Sequence, residues 1–267
     1  MEDILEELTR ARRLDAAIRE KEVPFCEMVR RAAAAPAPRD FIGAFRDSGT
    51  PRVIAELKRA SPSEGMIRED FRPLELAKEL EAAGAAALSV LCEPHRFLGN
   101  EDYLSAVRGE VGLPLLYKDF LSTRYQVAAA RAAGADAVLL IAAVLDDAIL
   151  SDLLAFAREL GLAALVETHD ENEIARAVHA EARMIGVNCR NLRNFSTDVS
   201  LLESLVAKIP AGRVRIAESG MHTHEAICRA REAGADGFLV GTALMRAPSP
   251  GGKLEELASN HQTLPLP

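Results

Sequence analysis

At 267 residues and 49% hydrophobic side chains, the chain can bury one sizeable core and suits a single α/β barrel. Aromatics make up only 4% and tryptophan is absent, so that core is built from Ala, Leu, Val and Ile. A net charge of -8 excludes a general nucleic-acid binder, while leaving room for a local basic pocket that takes an anionic small molecule.

Residues 1–48 differ from the rest. Ile4, Leu8, Ala11, Leu14 and Ile18 fall near helical spacing, with Glu, Arg and Lys between them, and predict an amphipathic helix with that apolar stripe. The opening MEDILEELTR is acidic, unlike the basic-then-apolar start of a signal peptide. Pro24 opens a second helix carrying Phe25, Met28, Val29 and Ala32 on one side, and Pro36-Ala37-Pro38 stops it. Asp40 then caps a short helix ending at Gly49. This reads as a helical extension (1–48) packed on a barrel (49–267).

From Val53 onward, short apolar runs alternate with amphipathic stretches. Strands are expected at 53–57, 87–91, 114–117, 137–141, 163–166, 184–187, 213–217 and 237–240. Helices are expected at 73–83, 101–109, 123–133, 147–160, 171–180, 199–208 and 223–233, with a last one from near Leu254. Eight strand–helix units predict an α/β fold, a (β/α)₈ TIM barrel with an N-terminal helical extension. Ala-Gly-Ala recurs at 83–85, 133–135 and 233–235, each time where a helix should end. No Gly-x-Gly-x-x-Gly follows the first strand, which speaks against an open doubly wound sheet.

The longest purely apolar run, Ala137 to Leu145, is too short for a bilayer, so no membrane span is expected. Cys26, Cys92, Cys189 and Cys228 are dispersed and form no Cys-x-x-Cys pair, as in a reducing, cytoplasmic compartment. His222-x-His224 falls in a turn and the start of a helix. His95, His169, His179 and His261 have no metal-like spacing, so all six histidines read as capping or surface residues and no metal site is expected.

In such a barrel the site lies at the carboxyl ends of the strands. The first strand ends VIAELKRASPSEG, with Glu56 and Lys58 on one face, followed by Ser61 in a turn. The third ends in Lys118, the fifth in Glu167, the sixth in Asn188 and Arg190, and the seventh in Glu218 and Ser219. One terminal charge can simply mark where a strand meets water. Carboxylates and cations at several ends converge on one mouth, where they tune one another as acids and bases. Ser219-Gly220 after the seventh strand and Gly241-Thr242 after the eighth suit a phosphate, with glycines for close backbone approach and hydroxyls as donors. No Walker loop is present, which argues against nucleoside triphosphates.

The motifs IAELKRASPSEG (54–65), LYKDF (116–120), AGADAVLLIAA (133–143), ALVETHDENE (164–173), IGVNCRNL (185–192), AESG (217–220) and FLVGTALMR (238–246) together resemble the indole-3-glycerol-phosphate synthase family of tryptophan biosynthesis. The resemblance covers about residues 50–257, and a helical extension ahead of the barrel is also a family feature. It implies a carboxy-lyase that converts 1-(2-carboxyphenylamino)-1-deoxyribulose 5-phosphate to indole-3-glycerol phosphate, releasing carbon dioxide and water, with no cofactor or metal. It implies Lys118 as general acid, Glu167 as base, and Glu56 with Lys58 as a second acid–base and positioning pair. Asn188 and Arg190 would orient the substrate, Arg190 at its carboxylate. Ser61, Phe120 and Glu218 would also bind substrate, and Ser219, Gly220, Gly241 and Thr242 would hold the phosphate. The partner is then a phosphosugar, with no nucleic acid or membrane. Association with other tryptophan-pathway enzymes or a second copy is left open.

Cys92, Leu98, Tyr117 and Thr242 depart from residues common in that family, and none removes a proposed catalytic group. For Lys118, burial and the cations Lys58 and Arg190 lower the pKa while Glu56 and Glu167 oppose them, and the sequence leaves the net direction open. A different phosphosugar enzyme on this barrel, such as an isomerase, would need one proton-shuttling pair and release no carbon dioxide. A barrel that only binds would need no set of acid–base groups.

Overall fold

The computed structural model describes residues 4–46, 49–189 and 199–259. The apolar runs form eight parallel strands: β1 (Val53–Leu57), β2 (Ala87–Leu91), β3 (Leu115–Lys118), β4 (Ala137–Ile141), β5 (Ala163–Thr168), β6 (Met184–Asn188), β7 (Val214–Glu218) and β8 (Gly237–Val240). Each pairs with its neighbours in sequence, and β8 pairs with β1 to close the barrel. The amphipathic stretches become α3 (Pro73–Ala82), α4 (Glu101–Glu110), α5 (Arg124–Ala132), α6 (Asp147–Glu159), α7 (Glu171–His179), α8 (Val199–Val206) and α9 (His224–Glu232), preceded by α1 (Ile4–Glu22) and α2 (Phe25–Ala34). After β8 come α10 (Thr242–Arg246) and α11 (Pro250–Ala258).

Local chemistry sets these boundaries. Asn100, Thr123, Asp146, Asp170 and Thr223 each accept a hydrogen bond from a backbone N–H in the first turn of the following helix. Gly84, Gly134 and Gly234 adopt φ of 86°, 96° and 101°, so the Ala-Gly-Ala echo does mark three equivalent helix exits. One apolar layer lies between the strands and the helices, and a second fills the barrel itself.

Four sequence expectations need correction. The last helix begins at Pro250 rather than near Leu254, because Ser249 caps it through Gly252 N and Pro250 suits its first turn. The short helix after Asp40 is a single 3₁₀ turn, Gly43–Phe45, with Asp40 accepting from Gly43 N. The loop after β1 contains an antiparallel hairpin, Ala60–Ser61 with Gly65–Met66, turned through residues 62–64 and re-entered by Gly65 at φ 64°. The apolar stripe of α1 is wrong beyond its second turn: Leu5, Leu8 and Ala16 are buried, whereas Leu14 and Ile18 are 59% and 60% exposed. At that level the helix instead turns Arg12 inward, where its guanidinium meets buried Asp119 at 2.7 and 3.0 Å.

The extension touches the barrel at further places. α2 packs along α5, and its Phe25 reaches Phe156 of α6, the two rings centred 5.9 Å apart. The first turns of α1 border the carboxyl-end mouth through Ile4, Leu5 and Leu8. The segment after α2 reaches the opposite end, where Phe41 and Phe45 join the interior core and Phe45 lies against Gly237 and Ile216.

Asp136 fastens that lower end. It is fully buried and accepts from Arg39 N at 2.6 Å, Leu115 N at 2.7 Å and Arg108 Nη1 at 2.6 Å. Asp136→Ala leaves two backbone donors and a guanidinium unmet and should cost about 3–5 kcal/mol in urea unfolding. A loss below about 1 kcal/mol would show that water replaces the carboxylate there.

Candidate active site

Alternation along a strand sends every second side chain into the barrel. Ile54, Leu116, Leu165 and Ile216 lie in its interior. The residues two further on, Glu56, Lys118, Glu167 and Glu218, therefore stand at the carboxyl ends of β1, β3, β5 and β7 and line one cavity. These are the four odd strands, which in this architecture contribute one layer of four side chains. Here that layer is ionic.

Its geometry centres on Lys118. The Nζ atom donates to Glu218 Oε2 at 3.0 Å and Glu167 Oε2 at 3.3 Å, and lies 4.0 Å from Glu56 Oε1. Lys58 Nζ pairs with Glu56 Oε2 at 2.7 Å, so Glu56 stands between both lysines. All three carboxylates are buried, at 1–4% exposure, where an unpaired charge would be prohibitive. Burial opposes the Lys118 charge, but Glu218, Glu167 and Glu56 outweigh it and raise its pKa well above that of a free lysine. The direction left open by the sequence is upward.

The carboxylates separate in character. Burial pushes Glu218 up to about 8, with the charge of Glu167 adding to burial and Lys118 only partly offsetting them. Burial would raise Glu167 too, but Lys118 and His169 win and hold it well below the ordinary carboxylate range. Glu56 is likewise lowered, as Lys58 and Lys118 overcome its burial. Two adjacent carboxyls pushed apart in this way suit an acid and a base sharing one site.

The layer needs two gaps beside it. A Cβ at Gly186, on β6, would sit 3.1 Å from Glu218 Cδ. A Cβ at Gly241 would sit 3.0 Å from both Glu56 Cδ and Lys58 Nζ. Gly241 thus has a packing role that the phosphate reading of the sequence did not supply.

The cavity, about 1070 Å³ of space open to solvent, also brings together Ser61, Phe120, Asn188, Ser219, Gly220, Gly241 and Thr242. Ser219 and Gly220 both adopt left-handed backbone, at φ 66° and 76°, and Ser219 Oγ donates to Asn188 Oδ1 at 2.6 Å. Thr242 Oγ1 is buried with no hydrogen-bond partner among the described residues. Arg190, expected beside Asn188, lies outside the described residues.

Sequence reasoning missed several residues here. Leu8, Phe97, Leu139 and Ile141 form an apolar side of the cavity, and the rings of Phe97 and Phe120 are centred 6.1 Å apart. Asp119 and its partner Arg12 tie α1 to the end of β3. His169, read as a capping or surface residue, is only 19% exposed at its side chain and lies 3.5 Å from Glu167. Its position two residues past Glu167, with Glu173 one helical turn on, was the available signal.

A closed (β/α)₈ barrel whose mouth holds opposed acids and bases defines an enzyme of proton-transfer chemistry. Residues 5–257 match the family model described as indole-3-glycerol phosphate synthase. An indole-3-glycerol phosphate synthase of Laribacter hongkongensis is 47% identical over 96% of this chain and 99% of its own. That of Albidiferax ferrireducens is 45% identical over 96% of this chain and 98% of its own. The chain belongs to the indole-3-glycerol phosphate synthase family, the carboxy-lyases of tryptophan biosynthesis. Among solved structures, 3-hexulose-6-phosphate synthase from Salmonella typhimurium superposes with a TM-score of 0.63 at 15% identity, covering 77% of this chain and 96% of that one, a likeness of fold alone. Among the described residues no helix is long and apolar enough to cross a membrane.

Gly241→Ala should displace Glu56 and Lys58 while leaving the barrel folded. A fall of about tenfold or more in kcat/KM is expected, with a melting temperature within a few degrees of wild type. Unchanged kinetics would show that the pair relaxes freely.

Proposed function

We propose that the ionic layer carries out the ring closure, decarboxylation and dehydration that turn 1-(2-carboxyphenylamino)-1-deoxyribulose 5-phosphate into indole-3-glycerol phosphate. The observation that carries this reading is Lys118 Nζ held between Glu167 and Glu218 at the mouth. As the aromatic carbon attacks the ribulose carbonyl, negative charge gathers on the carbonyl oxygen. A fixed ammonium aimed there stabilises it. The forming alkoxide is more basic even than this tightly held lysine, so the proton passes from Lys118 to oxygen. Carbon dioxide then leaves the attacking ring carbon, and the electron pair of the broken bond restores the aromatic ring.

Dehydration needs an acid for the departing hydroxyl and a base for the proton on the neighbouring ring carbon. Glu167, kept ionised by Lys118 and His169, serves as the base. Glu56 and Lys58 form the second acid–base and positioning pair. Ser219, Gly220, Gly241 and Thr242 hold the phosphate, and the unpartnered Thr242 hydroxyl is a donor ready for it. Asn188 and Arg190 orient the substrate, Arg190 at its carboxylate, with Ser61, Phe120 and Glu218 completing the substrate wall. The apolar side formed by Leu8, Phe97 and Ile141 takes the benzene ring.

On the same reading the extension (1–48) serves the barrel (49–267) rather than acting alone, since it borders the mouth through Leu5 and Leu8. The cysteines at 26, 92, 189 and 228, none of them in a disulfide, support a cytoplasmic location. Contact with other tryptophan-pathway enzymes or a second copy completes the proposal, and size-exclusion chromatography with light scattering tests it.

Turnover of the carboxyphenylamino substrate, followed by indole absorbance, checks the assignment. Lys118→Met should lower kcat by about 10²-fold or more while affinity for the phosphorylated substrate stays within about tenfold. Parallel loss of both would make Lys118 mainly structural. Ser219→Asp places a negative charge at the phosphate and should raise KM by about tenfold or more. An unaltered KM would move the phosphate elsewhere.

A further inference from the structure

β5 runs through Glu167 and Thr168 into His169, and Asp170 then caps α7 by accepting from Glu173 N at 2.8 Å. The first turn of α7 sends Glu173 back toward the strand. There its Oε2 accepts from His169 N at 2.9 Å and lies 3.1 Å from Nδ1 of the same residue. Two contacts to one oxygen fix the imidazole against the helix start. Its other nitrogen, Nε2, is buried and faces Glu167 Oε1 at 3.5 Å, an ion-pair separation with no closer hydrogen-bond partner among the described residues. Glu167 turns its second oxygen, Oε2, to Lys118. His169 does not line the cavity, so it stands behind Glu167 and not against substrate.

We propose that His169 is a positioning residue for Glu167: clamped by Glu173, it grips Oε1 from behind and leaves Oε2 as the oxygen that handles the proton. The inference rests on the reading of Glu167 as the base.

Both neighbours of the ring are carboxylates, which accept and do not donate, so the imidazole between them is held with both nitrogens protonated. Burial works against that charge, but Glu167 and Glu173 outweigh it and push the pKa up to about 10. Among the described residues, the charged groups facing Glu167 from other elements are Lys118 on β3, Glu218 on β7 and Glu56 on β1. Lys118 is the cation among them, and His169 is the second. Removing the imidazolium raises the Glu167 pKa, so less of the base is ionised at low pH. The acidic limb of kcat/KM then moves to higher pH.

The test compares pH profiles and thermal melts of the wild type with His169→Asn, His169→Gln, Glu173→Gln and Glu167→Gln. His169→Asn should lower kcat about tenfold, leave KM within about twofold and move the acidic limb up by about one pH unit. His169→Gln, whose amide reaches the place of Nε2, should recover part of kcat but not the limb. Glu173→Gln, which keeps the imidazole and weakens its clamp, should move the limb the same way by less. An acidic limb that stays in place in folded His169 variants overturns the proposal. Should those variants fail to fold, a wild-type limb in Glu173→Gln does the same. Glu167→Gln separates the two readings: normal turnover there removes the base itself. If that variant is inactive while the others keep wild-type profiles, only the positioning role falls.

Discussion

The structure depends on keeping three carboxylates and an ammonium together in a place where a barrel would ordinarily bury four apolar side chains. Glu56, Glu167 and Glu218 surround Lys118 at 3.0–4.0 Å, and removing any partner would strand a buried charge. Neighbouring positions answer to that arrangement. Gly186 and Gly241 carry no side chain where a carboxylate lies against them, and Lys58 takes up the second oxygen of Glu56. Counted as ions, the three carboxylates exceed the two lysines by one. The proton that Glu218 tends to keep closes that gap, while the charge on His169 is met by Glu173.

A charged layer of this kind is stable because the rest of the molecule insulates it. Below it lie Ile54, Leu116, Leu165 and Ile216, and beyond them Phe41 and Phe45 stop the far end of the barrel. Above it, Leu5, Leu8 and Phe97 narrow the mouth. Low local polarity strengthens each ion contact and would do the same for contacts to a bound phosphosugar.

Strand and helix positions were legible because two periods carry them. Runs such as Ala137–Ile141 are apolar throughout, being covered on both faces, and the caps and glycines between them punctuate each unit. The charged layer was legible for the same reason: a residue two places past a core position faces the same interior. What was hidden depends on contacts between distant stretches. Arg12 sits on the buried face of α1 only because Asp119, 107 residues away, receives it, and local hydrophobicity instead selects Leu14 and Ile18. The hairpin at Ala60–Met66 follows from a short turn at 62–64, ahead of Gly65, among residues with weak strand preference. His169 was masked by its company, since a histidine beside a helix start reads as a cap until the fold puts it behind Glu167.

The plug at the barrel's lower end has a kinetic meaning. Phe45 lies in the first fifth of the chain, yet the surfaces it meets, Ile216 and Gly237, belong to the last two strands. Contacts so remote along the sequence form late, because a long loop must close before they yield anything. Until β7 and β8 arrive, Phe41 and Phe45 have no complete socket. The barrel is therefore stoppered by residues synthesised early and seated at the end of folding.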